Sequence, residues 1–356
     1  MLKNRRSRLK SFFEDYAVDA ILLTDLRNIR YLCGFSGSEA ALLVTADRAW
    51  FLCDSRYTEQ AAGEVEGAVV KECAPVRLDT ISELCSEQGF ARVGFEAAHT
   101  TVTAFRRMAD KLVGVELIEI GSHFDEIRSC KDSSEIDLLS RVALLASGAL
   151  EKILYMIKPG ASEIDIAVAL EFEMRKSGAD GRAFDFIVAS GVRGAMPHGV
   201  ATSRQIQSGD LVTIDYGALK DGYHSDETVT VACGKPDARS ADIHAVVKAA
   251  HDFAIDAVKP GMSCRDLDNV ARSYISSKGY GDYFGHGLGH GVGLEIHEMP
   301  NLSPRSSAVL QEGMVVTVEP GIYIPGFGGV RIEDTVVVTG DGCRVITVAD
   351  KSLIVL

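Results

Sequence analysis

Short apolar runs alternate with stretches of helical periodicity along the first 125 residues. Five runs have the length and apolar content of buried strands: Ala20–Leu23, Ala41–Val44, Trp50–Cys53, Val93–Phe95 and Leu117–Ile120. Strands that alternate with helical segments are typical of α/β domains. We therefore predict an α/β domain over residues 1–125 and a second domain over residues 126–356.

The pattern changes near residues 125–133, where the chain becomes polar and charged, as in a linker between domains. Asp132 and Glu135 have the spacing of a helical capping box. Apolar residues then keep the helical period at positions 136, 139, 142, 146, 150, 153 and 157. These features predict a long helix that ends before Lys158-Pro159-Gly160.

The second domain contains an internal repeat. Three segments recur with the same spacing of key residues: Lys158-Pro159-Gly160 as Lys259-Pro260-Gly261, Gly209–Asp215 as Gly313–Glu319, and Asp226–Val231 as Glu333–Val338. Solenoid proteins need three or more stacked copies, whereas this chain has two long ones. The repeat therefore predicts a pseudo-symmetric domain built from two helix–helix–strand–strand units.

Four acidic residues occupy equivalent positions in the repeat. Asp215 corresponds to Glu319, and Asp226 corresponds to Glu333. A single acid beside a strand is more often a turn residue or a solvent-facing one, but four equivalent acids indicate a site. Converging buried carboxylates repel one another unless cations neutralise them. We therefore predict two divalent metal ions.

The symmetry of the repeat also predicts how the ions are shared. Asp226 and Glu333 would bridge both ions, while Asp215 and Glu319 would each hold one, with a hydroxide between the ions. Ligands that are mostly carboxylates favour Mn²⁺ or Co²⁺ over thiolate-preferring metals, and Zn²⁺ stays open as an alternative.

Histidines interrupt the symmetry. Three of them lie among glycines in the segment GHGLGHGVGLEIHE: His286, His290 and His297. A phosphate-binding loop is disfavoured because no Gly-Lys-Ser/Thr follows. A zincin helix is excluded by Pro300 and Asn301, and the segment Gly34–Ser38 lacks the spacing of a serine-hydrolase elbow.

Charge and cysteine content narrow the function classes. The net charge of −13 over 356 residues disfavours a nucleic-acid groove or an anionic membrane surface. The eight cysteines form no Cys-x-x-Cys pair, as expected for buried thiols in a reducing compartment. We predict a cytoplasmic protein without a transmembrane span. The basic first 13 residues leave a transit peptide as an alternative to an amphipathic first helix.

Several strings resemble the metal-binding motifs of the pita-bread peptidases, a family that includes aminopeptidase P, prolidase and methionine aminopeptidase. They occur in the same order as in the family: IDYGALKDGYHSDET, GHGLGHGVGLEIHE, VEPGIY and GGVRIEDT. The first domain also resembles the aminopeptidase P and prolidase branch, through NIRYLCGFSGSEAALLV and DSRYTEQA. The resemblance implies a creatinase-like α/β domain followed by an α+β pita-bread domain with an internal pseudo-two-fold repeat.

The resemblance also implies a ligand set that contains the four repeated acids. It comprises Asp215, Asp226, His290, Glu319 and Glu333. One position departs from the proline-specific branch, since Val229 stands where that branch commonly has arginine. This change removes no metal ligand, but it puts in doubt one side chain that would contact the ligands from outside.

Further site residues are implied by the same motifs. His198 resembles the histidine that handles the nitrogen of the scissile bond, and His297 the one that contacts the carbonyl and stabilises the oxyanion. His286 resembles another active-site histidine, and Arg331 an arginine that contacts a ligand or the substrate. Glu319 is our candidate general base.

The function predicted first is that of an Xaa-Pro aminopeptidase, a homodimer acting on peptides with proline in second position. A prolidase acting on Xaa-Pro dipeptides is the main alternative. A metal-free creatinase-like hydrolase and an inactive binding module are disfavoured because all five implied ligands are present.

Overall fold

The computed structural model describes residues 2–73, 75–121 and 123–356 of the chain. The chain divides into two compact units, Met1–Arg128 and Ser129–Leu356. Eight cysteines are free thiols, five of them buried. In the described part of the chain, no helix combines the length and the apolar character that crossing a membrane requires.

The first unit is built on a mixed six-stranded sheet of order β4-β3-β2-β1-β5-β6. Its strands are β1 (Ala20–Leu23), β2 (Ala41–Val44), β3 (Ala49–Cys53), β4 (Val69–Glu72), β5 (Arg92–Glu96) and β6 (Glu116–Ile120). The five predicted strands are confirmed. The edge strand β4 was missed because its sequence, VVKE, is short and largely solvent-facing.

Seven helices accompany this sheet in the described residues. They are α1 (Leu2–Ser7), α2 (Lys10–Asp15), α3 (Leu26–Cys33), α4 (Thr58–Glu64), α5 (Arg77–Gln88), α6 (Val102–Lys111) and α7 (His123–Ser129). The single amphipathic first helix that we expected is divided into α1 and α2, and its apolar residues Leu9 and Phe12 are buried.

The predicted linker is wrong for residues 125–129, which belong to helix α7. Phe124 is buried and its ring meets that of Phe12 edge-on, with centroids 5.3 Å apart. Arg128 is also buried, and its Nη1 donates to Asn28 Oδ1 at 2.9 Å. Packing inside the first unit therefore orders a segment whose polar sequence suggested a loop.

The second unit begins with a long helix, as the periodicity predicted. Its helices are α8 (Ser133–Ile153), α9 (Glu163–Lys176), α10 (Ala238–Ala257) and α11 (Cys264–Ser277). The capping box of Asp132 and Glu135 is present at the start of α8. Short 3-10 helices form at Leu154–Met156, Gly191–Ala195 and Gly281–Tyr283.

Thirteen strands follow in the second unit. They are β7 (Gly181–Arg182), β8 (Ile187–Ser190), β9 (Leu211–Tyr216), β10 (Ala218–Lys220), β11 (Tyr223–His224), β12 (Glu227–Ala232), β13 (Gly289–Gly291), β14 (Glu298–Leu302), β15 (Val315–Val318), β16 (Gly321–Ile324), β17 (Gly328–Arg331), β18 (Asp334–Val338) and β19 (Cys343–Val345).

These strands form two main antiparallel sheets, which correspond to the two copies of the repeat. The first sheet has the order β12-β9-β8, and the second has the order β14-β13-β15-β18-β19. Helices α8 and α9 share one apolar core with the first sheet, and α10 and α11 share another with the second. The predicted pita-bread architecture with a pseudo-two-fold repeat is thereby confirmed.

The two halves meet where the repeated acids lie. The backbone of Thr228 pairs with that of Glu333 in an isolated antiparallel bridge, with a Glu333 N to Thr228 O distance of 3.1 Å. The hydroxyl of Thr335 also donates to the backbone oxygen of Asp226 at 2.7 Å. These contacts bring the ends of β12 and β18 together.

Candidate metal centre and active site

Strand ends deliver the five predicted ligands to one cavity of about 620 Å³. Asp215 lies near the end of β9, opposite Thr228, and Asp226 immediately precedes β12. Glu319 follows β15, Glu333 precedes β18, and His290 lies in β13. All five line the cavity. The neighbouring strands converge because the two halves of the repeat face each other here.

Three of the five side chains are close enough to hold one ion. One ligand atom each from Asp226, His290 and Glu333 lies within 4.8 Å of the others. His290 Nε2 is also 3.3 Å from Glu319 Oε1 and 3.5 Å from Asp226 Oδ2. This spacing lets several donors share a single cation.

The orientation of His290 suits a metal ligand. Its Nδ1 lies 3.0 Å from the carbonyl oxygen of Gly291, which assigns the ring proton to Nδ1. Nε2 then carries the free lone pair that faces the carboxylates. Gly289 allows this approach because a Cβ there would clash with the Thr317 carbonyl oxygen of neighbouring β15.

Burial makes the carboxylate cluster costly when it is fully charged. Desolvation raises the pKa of Asp226 and of Glu333 well above the usual range, and repulsion from neighbouring carboxylates adds to the rise. Desolvation raises the pKa of Glu319 to about 8. Such shifts mean that negative charge on these buried acids is unfavourable and that a bound cation would stabilise it.

Asp215 supplies the clearest sign that the donor set fits a cation. Its Oδ1 is buried and has no hydrogen-bond partner among the described residues, while Oδ2 accepts from Arg331 Nη2 at 2.5 Å. A buried carboxylate oxygen without a partner is unfavourable. A divalent cation with oxygen and imidazole ligands would satisfy this oxygen and would stabilise the neighbouring carboxylates whose pKa values are raised.

Arg331 organises the wall of the cavity beside Asp215. Its guanidinium also donates to the hydroxyl of Tyr323 at 2.9 Å and to the carbonyl of Pro197 at 3.1 Å. Pro197 precedes His198, so Arg331 links Asp215 to the loop that carries this histidine. Arg331 is only 3% exposed, and its charge is paired with Asp215.

His286 is bound within the same network. Desolvation lowers its pKa to about 4, so the ring is neutral at pH 7. Nδ1 lies 2.8 Å from the carbonyl oxygen of Gly287, and Nε2 lies 2.8 Å from the hydroxyl of Tyr323. Since both nitrogens have partners, His286 holds Tyr323, which in turn accepts from Arg331.

His297 and His198 line the cavity without belonging to the cluster of ligand atoms described above. The His297 ring meets that of His290 edge-on, with centroids 4.4 Å apart. Desolvation lowers the pKa of His297. His198 lies on the exposed loop after the 3-10 helix Gly191–Ala195.

Two threonines at the centre were not singled out in the sequence. Thr228 donates to Glu333 Oε2 at 2.6 Å, and Thr317 donates to Glu319 Oε1 at 3.2 Å. The Thr317 hydroxyl also accepts from the backbone N of His290 at 3.0 Å. Both threonines stand in the repeated segments, so the repeat contained a signal for them.

Val229 points away from the cavity. It is 2% exposed and packs in the core formed by α8, α9 and the first sheet. Its neighbours Thr228 and Thr230 face the opposite side, where the Thr230 hydroxyl donates to the Arg331 carbonyl oxygen at 2.8 Å. A valine here therefore leaves the contacts of the carboxylate cluster in place.

Comparison with known proteins defines the class. Residues 137–340 match the model of metallopeptidase family M24, and residues 5–130 match the creatinase/prolidase N-terminal domain. The chain belongs to metallopeptidase family M24. The predicted membership of the aminopeptidase P and prolidase branch is thereby confirmed, because the first unit matches the N-terminal domain named for creatinase and prolidase.

Individual relatives span the whole chain. The Xaa-Pro dipeptidase of Pyrococcus furiosus is 37% identical, over 99% of this chain and 100% of its own. The structure of an Xaa-Pro dipeptidase from Bacillus anthracis is 43% identical and covers 100% of both chains, with a TM-score of 0.98. An X-Pro aminopeptidase structure from Thermotoga maritima is 36% identical, with a TM-score of 0.93, covering 99% of this chain and 100% of its own.

Proposed function

We propose that this chain hydrolyses the peptide bond before proline in Xaa-Pro dipeptides and uses two divalent ions, with Mn²⁺ as the proposed metal. The observation that carries the proposal is the convergence of five donor residues from both halves of the repeat on one cavity. Relatives from Pyrococcus furiosus and Bacillus anthracis are named Xaa-Pro dipeptidases. Their names favour dipeptidase activity over the aminopeptidase activity that the sequence analysis put first.

The residues proposed to hold the ions divide by position in the repeat. Asp226 and Glu333, each the residue before an equivalent strand, would bridge the two ions. Asp215 would hold one ion, and His290 with Glu319 would hold the other. Two divalent ions bound there would polarise the carbonyl before proline and supply a water of lowered pKa.

The remaining residues act on the substrate and its protons. Glu319 is the proposed general base, and the Thr317 hydroxyl orients its carboxylate. His297 would donate to the oxygen that becomes an oxyanion. His198 would assist departure of the proline nitrogen, which carries no proton in the tertiary amide of an Xaa-Pro bond. Arg331 and His286 hold the surrounding side chains in place.

The cavity wall also provides apolar surface for a proline ring and the preceding side chain. The apolar residues that line it are Phe184, Ile187, Pro197, Val200, Ile296 and Leu302. Contact of the proline ring and the preceding side chain with these residues would contribute to substrate binding.

Xaa-Pro aminopeptidase activity is the second candidate, because Arg331 is already paired with Asp215 and is not free to bind a substrate carboxylate. A dipeptide places its terminal carboxylate next to the scissile bond, where a free cation would stabilise it. Arg331 is the one arginine or lysine among the lining residues, all of which the structure describes, and it is paired with Asp215. A longer peptide has no carboxylate at this position.

Substrate length and metal dependence can be tested together. Metal-free protein would be reloaded with Mn²⁺, Co²⁺ or Zn²⁺ and assayed on Xaa-Pro, Xaa-Pro-Yaa and Xaa-Ala peptides. We expect metal-dependent cleavage of Xaa-Pro and little cleavage of Xaa-Ala. Preference for Xaa-Pro-Yaa would select the aminopeptidase, and the absence of cleavage with every metal would reject both activities.

A further inference from the structure

A second pair of buried acids lies behind the proposed metal ligands. Glu227 follows Asp226, and Asp334 follows Glu333. Successive side chains in extended backbone point to opposite faces, so these two acids face away from the cavity. Glu227 is 0% exposed and Asp334 is 7% exposed. At the start of β12 and of β18, one acid therefore faces the cavity and the next one faces away from it. We call Glu227 and Asp334, which face away, the rear acids.

One lysine contacts both of the rear acids. Lys351 Nζ lies 2.5 Å from Glu227 Oε1 and 3.2 Å from Asp334 Oδ1. Lys351 is itself buried, at 8% exposure, in the C-terminal segment that follows β19. It therefore joins the first residue of β12 to the first residue of β18, across the boundary between the two halves.

The segment around Lys351 strengthens this connection. Thr347 Oγ1 donates to Asp334 Oδ1 at 2.6 Å, and the backbone N of Ala349 donates to Glu227 Oε1 at 2.9 Å. Both rear acids thus accept hydrogen bonds from the same short stretch of chain. Movement of this stretch would shift the backbone that carries Asp226 and Glu333.

A purely structural role would not require these charges. Two buried acids and a buried lysine are no more stabilising than well-packed apolar side chains of similar size. Their position is informative, since each acid is adjacent in sequence to a residue proposed to bridge the metal ions. Partners behind the ligands commonly fix the orientation of the ligands and change metal affinity when removed.

We infer that Lys351 is a positioning residue of the metal centre: by pairing with Glu227 and Asp334, it fixes the relative placement of Asp226 and Glu333 in front of them. The inference rests on the proposed assignment of Asp226 and Glu333 as ligands. Lys351 contacts neither the cavity nor the reacting atoms, so it acts through the two strands.

The test measures metal affinity in folded protein, apart from activity. Metal-free wild type, Lys351→Met and Lys351→Arg would be titrated with Mn²⁺ against a competing chelator, at a temperature well below unfolding. We expect Lys351→Met to lose about 10- to 100-fold in Mn²⁺ affinity. Lys351→Arg, which keeps the charge, should recover most of this loss. Unchanged Mn²⁺ affinity in Lys351→Met, with only a lower melting temperature, would overturn the inference.

A charge-neutral pair covers the case in which Lys351→Met does not fold. The double variant Glu227→Gln with Lys351→Met leaves no charge at position 227, and Asp334 keeps its contact with His251 Nε2 at 3.2 Å. The variant should therefore fold, yet it lacks the connection that Lys351 makes between the strands. We expect its Mn²⁺ affinity to stay about 10-fold or more below wild type. Wild-type affinity in this double variant would also overturn the inference.

Two controls separate this inference from the proposed function. Lys220→Met removes a half-buried lysine whose Nζ lies 2.7 Å from Asp180 Oδ1, and it should bind Mn²⁺ as wild type does. Asp226→Ala reports on the ligand assignment itself. If Asp226→Ala binds Mn²⁺ normally, the proposed site is wrong; if only Lys351→Met does, the site stands and the inference about Lys351 fails.

Discussion

The two halves of the second unit share their acids but differ in their other polar side chains. Asp215 and Asp226 in the first half correspond to Glu319 and Glu333 in the second. The second half alone adds His290 within the cluster of ligand atoms. Repetition of a carboxylate pair therefore accounts for the symmetric part of the site.

The residues that are not repeated surround this symmetric centre on the substrate side. His198 comes from the first half, whereas His297 and Arg331 come from the second, and all three line the cavity. A peptide substrate has no two-fold symmetry, so residues that recognise it need not be repeated. We infer that the four repeated acids bind metal together with His290, and that the unrepeated His198 and His297 act on the substrate.

The largest effect should follow loss of a repeated acid at a bridging position. Asp226→Ala and Glu333→Ala should each weaken both ions, because each side chain is proposed to contact both. Asp215→Ala should weaken one ion only. We expect each bridging variant to lose more than about 100-fold in metal affinity, which is the upper range for residues that contact only the ligands. Titration calorimetry on metal-free protein measures the loss.

Asp180→Ala is the matched control, since this acid is exposed and pairs with Lys220 at the surface. Calorimetry that shows loss of only one ion in Asp226→Ala or Glu333→Ala would contradict the bridging assignment. It would also remove the distinction between the two equivalent pairs of acids.

A smaller effect, on turnover alone, should follow loss of the unrepeated histidines. His297→Ala and His198→Ala should each lower kcat by about 10²–10³-fold while metal content stays at the wild-type level, because such donors act on the transition state. The measurements are kcat, bound metal and melting temperature. His99→Ala, in the first unit, serves as a control.

The alternative for these histidines is a role in packing. In that case the alanine variants would melt at lower temperature but keep their turnover per folded, metal-loaded molecule. Increased KM with unchanged kcat would instead indicate that the histidines bind substrate and transition state equally.

The smallest expected effect is a change in stability at acidic pH, and it concerns a buried histidine in one of the long helices. His244 of α10 occupies the position that corresponds to Ala143 of α8, and both are buried. Desolvation lowers the pKa of His244 from 6.5 to about 4. The unfolded chain therefore binds more protons between these pH values, and stability falls as the pH drops from 6.5 towards 4.

His244→Gln lacks this titration. Between pH 8 and pH 4, the free energy of unfolding should decrease less in the variant than in wild type. The difference between the two decreases should be at most about 3 kcal/mol. Urea unfolding of metal-free protein at several pH values gives the comparison. Parallel pH profiles for the two proteins would contradict this prediction, because they would show that His244 binds protons equally in the folded and unfolded chains.

Features that depend on neighbouring residues in the sequence, such as buried strands and helix starts, were predicted correctly. The strands of the first unit follow from apolar runs such as Ala20–Leu23, and the capped start of α8 follows from Asp132 and Glu135. The acids of the candidate site were found because the repeat marks equivalent positions even where a single aspartate would be unremarkable.

Contacts between distant parts of the chain account for most of what was missed. Lys351 pairs with Glu227 from 124 residues away in sequence, and no periodicity or spacing connects the two. The link from His286 through Tyr323 to Arg331 likewise depends on how separate strands meet. Helix α7 was missed because polar residues conceal the burial of Phe124 and Arg128.

The central claim is that equivalent acids from the two halves together hold two ions. Its most direct test is the metal content of reconstituted protein, measured alongside hydrolysis of an Xaa-Pro dipeptide as metal is added. The account predicts two ions per chain, with full activity reached only when the second is bound. Full activity with no more than one tightly bound ion per chain would contradict it.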